Sequence, residues 1–142
     1  MFLMGCDAIR GVTRQASVPH LPPSSCVIEG LESIEGLSNA HHEERTGGWP
    51  ITLTGLKPPE TLHYYFYDFQ GVSGWLYFAK DYKGRVEFSQ GYITVNKPAP
   101  QAEIDVPRPV MVQIERRLET QCTLQNLAAN IKESCSGVKC PK

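Results

Sequence analysis

A chain of 142 residues supplies one hydrophobic core and is too short for two comfortable ones. Its 14 Lys and Arg against 15 Asp and Glu leave a net charge of −1, which removes any general electrostatic case for nucleic acid or an anionic membrane surface. Without an apolar run of about 18 residues, no segment reads as a bilayer-spanning helix.

The chain opens "MFLMGCDAIR", a short apolar run that stops at Gly5-Cys6 and gives way to charge. Leu3-Met4-Gly5-Cys6 resembles a bacterial lipobox, in which a small residue precedes the cysteine that takes a diacylglyceryl group. The resemblance implies a cell-envelope lipoprotein facing the periplasm, with residues 1–5 as a signal remnant and Cys6 as the lipidated residue. Asp7 directly after the cysteine resembles the inner-membrane retention signal of some bacterial lipoproteins. The partners so implied are the membrane, through the anchor, and another envelope protein.

From Asp7 to Ser25 no sustained helical or strand period is seen, and Pro19, Pro22 and Pro23 break any helix. Residues 6–24 therefore read as a flexible lipid-anchored tether, and 25–142 as a single globular domain. Ser24 or Ser25 can cap a helix over 26–35, with Val27, Leu31 and Ile34 as its apolar stripe and Gly36 as its left-handed stop. "SSCVIEGLESIEGLSNAHHEE" also resembles the first helix and following strand of heavy-metal-associated domains. Pro23 stands where their first metal-binding cysteine would be, so only the helix-turn-strand geometry carries over. His41-His42-Glu43-Glu44 invites a metal reading too, but neighbours on a strand point to opposite faces and cannot converge unaided. A solvated edge is the simpler reading.

Strand patterns follow. Ile51 to Leu56 alternates. "TLHYYFYDF", "GWLYFAKDY" and "RVEFSQGYITV" read as a meander joined by turns at Gln70–Ser73 and Lys83-Gly84. In the first of these, Leu62, Tyr64 and Phe66 are expected inside. Tyr65, Tyr67, Trp75 and Tyr77 then form a candidate binding face, or cross-strand aromatic packing without a partner. A Pro-rich connection leads to a helix with Pro109 in its first turn and Met111, Ile114 and Leu118 inward. Thr123 is expected to cap another helix, with Leu124, Leu127, Ala128 and Ile131 inward. The expected fold is α+β: an antiparallel meander of four to five strands, with one N-terminal and two C-terminal helices on one face.

Of five cysteines, Cys26, Cys122, Cys135 and Cys140 make an even set, which points to two disulfides in an oxidising compartment. A helix over 123–134 would hold Cys122 and Cys135 about 20 Å apart, far beyond the roughly 7 Å a disulfide allows. Of the two pairings left, Cys122–Cys140 with Cys26–Cys135 would require the tail to run back along that whole helix. The pairing expected is therefore Cys26–Cys122 with Cys135–Cys140. No Gly-rich phosphate loop, GxSxG elbow or Cys/His nucleophile motif is present, and the expectation is a non-enzyme without cofactor or metal. A soluble periplasmic or secreted small-ligand binder is the alternative to the lipoprotein reading.

Overall fold

The computed structural model describes residues 11–46, 61–81, 83–92 and 107–136. Six strands run in chain order as β1 (Gly11–Val18), β2 (Leu37–Thr46), β3 (Thr61–Phe69), β4 (Val72–Lys80), β5 (Val86–Tyr92) and β6 (Lys132–Ser136). They form one sheet in the order β2-β3-β4-β5-β1-β6, antiparallel at every junction. Two helices, α1 (Ser24–Glu32) and α2 (Pro107–Gln121), lie on one side of it. The α+β class and the β3–β4–β5 meander agree with expectation. The described strands number six and the described helices two. The expected strand at 51–56 lies outside the described residues.

The meander forms for local reasons. Gln70 and Gly71 both take positive φ, 48° and 80°, the backbone of a two-residue turn whose twist matches the strands it joins. At the next turn Gly84 takes φ 84°. There the Asp81 carboxylate accepts bonds from the backbone N–H groups of Lys83 and Arg85 and from the Arg85 side chain.

Residues 11–18, expected within the tether, instead form an interior strand between β5 and β6. "GVTRQASV" does alternate: Val12, Ala16 and Val18 are buried on the helix side, with Arg14 between them. That charged residue interrupts the apolar pattern at its centre, and this is why the strand escapes a period count.

The stretch after α2 also departs from expectation. Thr123 and Asn126 take positive φ, 56° and 62°, and no helix can run through such residues. The chain makes a short 3-10 turn at Ala128–Asn130 and enters β6. Leu124 and Leu127 are nonetheless buried, as expected.

The core lies between the sheet and the helices. Val27, Leu31 and Ile34 from the α1 segment meet Val110, Ile114 and Leu118 of α2 above Tyr65, Tyr67, Leu76, Phe78 and Phe88. Cys26 and Cys122 are joined by a disulfide, with Cα atoms 5.4 Å apart, tying the start of α1 to the end of α2. This is one of the two bonds expected. Cys140 lies outside the described residues, and Cys135 lies on β6 opposite Val12.

Candidate functional site

The strand register divides the aromatic residues differently from the sequence expectation. Tyr65 and Tyr67 are 0% and 3% exposed and belong to the helix-covered core. Trp75 and Tyr77 lie on the opposite face, across from Phe66 and Tyr64 respectively. The expected face is therefore split. Tyr65 and Tyr67 leave it, Tyr64 and Phe66 join it, and Phe66 is only half-buried. Leu62 and Tyr64 are buried as expected, but on the side away from the helices. Both sets of alternate residues in "TLHYYFYDF" are apolar, so period alone could not assign the faces.

Two glycines carry the missing signal. Tyr67 lies across from Gly74, and its ring covers that glycine so closely that a Cβ there would clash with Tyr67 Cζ. On the other face a Cβ at Gly91 would meet the Trp75 indole at 2.9 Å. Each glycine is the floor beneath a cross-strand aromatic ring, and each assigns its ring to a face.

On the face away from the helices the rings form a continuous patch. Tyr64 stacks with Phe66 at 5.7 Å between centroids, Trp75 stacks with Tyr77 at 5.8 Å, and Tyr64 meets Tyr77 at 5.3 Å. His41 stacks on Phe66 at 5.4 Å, and the Arg45 guanidinium lies 4.7 Å above the Tyr64 ring. Burial and the neighbouring Tyr77 raise the Tyr64 pKa against the pull of Arg45, so its hydroxyl remains a neutral donor at pH 7. At one end a cleft of about 310 Å³ is lined by Asn39, His41, Glu43, Phe66, Asp68 and Ser73 among others. Asp68 there accepts bonds from Asn39 and Ser73. Such a patch can stack flat groups and offer hydroxyl and carboxylate partners at its rim.

Two polar clusters lie on the helix side. Arg14 spans Glu115 of α2, with Nη2 to Oε1 at 3.0 Å and a second bond from Nε, and also donates to Glu133 of β6. Arg108 donates to Glu133 at 2.9 Å, and Gln90 to Glu115 at 2.7 Å. Glu115 is fully buried. Burial opposes the charge of Arg14, but the two carboxylates outweigh it and raise its pKa. The second cluster is at the sheet edge. A bulge after Ser38, where Asn39 takes φ 57°, resets the alternation of β2 so that His42 and Glu44 share the helix-side face with His63 and Tyr65. His42 Nε2 lies 3.2 Å from His63 Nδ1, and its ring stacks on Tyr65 at 4.7 Å. Burial and the charge of His63 lower the His42 pKa, with Glu44 opposing. Burial, assisted by Glu44, pushes the Tyr65 hydroxyl up to about 12.

Cys6 lies outside the described residues. No protein-family model matches the chain, and no curated protein or solved structure is significantly similar to it.

Proposed function

We propose that this chain is a cell-envelope lipoprotein, acylated at Cys6, that presents a disulfide-braced domain to another envelope protein. The observation that carries this reading is the Cys26–Cys122 bond, since stable disulfides belong to oxidising compartments. The lipobox-like Leu3-Met4-Gly5-Cys6 supplies the anchor, and the Tyr64–Phe66–Trp75–Tyr77 patch supplies the contact surface. Phe66, Trp75 and Tyr77 are half-buried, and aromatic surface of that kind is favoured at protein contacts. With β1 beginning at Gly11, Cys6 lies five residue steps from the sheet, a reach of at most about 18 Å even fully extended. The domain then rides close to the bilayer rather than standing off it.

A soluble small-ligand binder is a second reading, favoured by the cleft beside His41, Phe66 and Asp68. The mass of the full-length protein recovered from its own cells separates the two. The lipoprotein reading requires a membrane-fraction protein beginning at Cys6 and carrying the added diacylglyceryl mass. A soluble protein with an unmodified Cys6 thiol would overturn it.

A further inference from the structure

Two histidines distant in sequence meet where β2 ends the described sheet beside β3. His42 stands opposite Tyr65 there, and Glu44 opposite His63. His42 Nε2 lies 3.2 Å from His63 Nδ1, with the ring planes 3° apart and the centroids 5.4 Å apart. The N···N contact and the two ring radii account for almost all of that centroid distance. The imidazoles therefore meet edge to edge, and the hydrogen between them lies close to the plane of both rings.

An N–H···N bond of this kind needs one donor and one bare lone pair. It forms in the neutral pair, and it strengthens when one ring is charged. A second proton puts a hydrogen on both facing nitrogens and a charge on both rings. The bond is then lost and the rings repel. Few charges surround the pair. Glu44, its neighbour on β2, attracts the charged forms. On β3 the Tyr65 hydroxyl is neutral, its pKa pushed up to about 12. β4 places Phe78 across from His63 and Leu76 across from Tyr65, with Lys80 across from Thr61. α1 packs on β2 and keeps Glu29 and Glu32 exposed. Burial and the charge of His63 lower the His42 pKa, and Glu44 opposes them without cancelling them.

The opposite face of β2 carries His41 and Glu43, which line the cleft beside Phe66. What fastens His42 therefore also holds that wall of the cleft. We propose that the His42–His63 bond is an acid-released latch. At neutral pH it fastens edge strand β2 and the His41–Glu43 wall, and protonation of both rings lets that strand loosen. A histidine whose folded pKa is lowered supports the fold fully above its unfolded value near 6.5, and that support is lost as the pH falls through the folded value. The inference is independent of the anchor at Cys6.

Backbone amide exchange followed by NMR tests it, on the disulfide-intact protein between about pH 8 and 5, the range histidine spans. As the pH drops, protection of the β2 amides bonded to β3 should fall at least tenfold relative to those of β4. That fall should disappear in both His42→Gln and His63→Gln and persist in His20→Gln. In His63→Gln the ring resonances of His42 should also titrate at higher pH than in the wild type, because the neighbouring charge is gone. His42 and His63 are half-buried at the sheet edge, and far-ultraviolet circular dichroism of each variant confirms that the fold is retained. Protection of β2 that does not change with pH would overturn the proposal. So would the full acid response in either His42→Gln or His63→Gln, which would assign it to other groups.

Discussion

Replacing Cys26 by Ser is expected to cost about 4–5 kcal/mol of unfolding free energy, because the Cys26–Cys122 bond closes a loop with a sequence separation of 96 residues. In the chain-entropy account, crosslinking a loop of roughly 100 residues removes about 4.7 kcal/mol of disorder from the unfolded state. Among the described elements, most of α1, four of the six strands and all of α2 lie between its ends. Cys26 is half-buried at the start of α1, so the substitution leaves little cavity and the loss reports the crosslink. Urea denaturation of the variant beside the wild type measures it. A loss below about 1 kcal/mol would mean that the unfolded chain is held together in some other way. For a small domain whose total stability is typically about 5–15 kcal/mol, the expected loss is decisive.

A second large effect is expected at the buried ion cluster. Glu115→Leu removes the carboxylate that meets Arg14 on two bonds and leaves the guanidinium of this buried residue with Glu133 alone. Breaking one partner of a buried pair costs about 3–5 kcal/mol, because the surviving charge stays desolvated. Adding Arg14→Met should recover much of that loss, since a well-packed apolar pair can match a buried ion pair. Chemical denaturation of both single variants and the double variant gives the coupling, and strictly additive losses would contradict the pairing. The same cluster sets an acid response. Burial opposes ionisation of Glu133, but bonds from Arg108 and Arg14 outweigh it and hold its carboxyl below the ordinary 4.5. A depressed carboxyl stabilises the fold fully above its unfolded value. That contribution fades as the pH falls through 4.5 toward the folded value. Glu133→Gln should flatten this part of the acid profile.

The parts of the fold that sequence made legible are those built from short-range chemistry. The α1 stripe of Val27, Leu31 and Ile34, the turns at Gln70-Gly71 and Gly84, and the inward Met111, Ile114 and Leu118 of α2 all follow from period and turn residues. Cys26–Cys122 emerged from elimination, although one premise, a helix after Thr123, does not hold. What stayed hidden depends on partners distant in sequence. Arg14 reads as a linker residue until Glu115, 101 positions away, is brought against it. β6, "KESCS", is too polar to announce itself and exists as an edge beside β1. The pairing of His42 with His63 requires a bulge at Asn39 that no residue in the run demands.

The assignment of the two sheet faces underlies both the core and the proposed contact surface. Its most direct test is the stability of Tyr65→Ala against that of Phe66→Ala. Tyr65 is fully buried beneath the helices, edge-on to Phe78, whereas Phe66 is half-buried in the patch on the other side. Truncating a buried aromatic costs about 3–5 kcal/mol, so Tyr65→Ala should exceed Phe66→Ala by about 2 kcal/mol or more. Equal losses, or a larger loss at Phe66, would contradict the account.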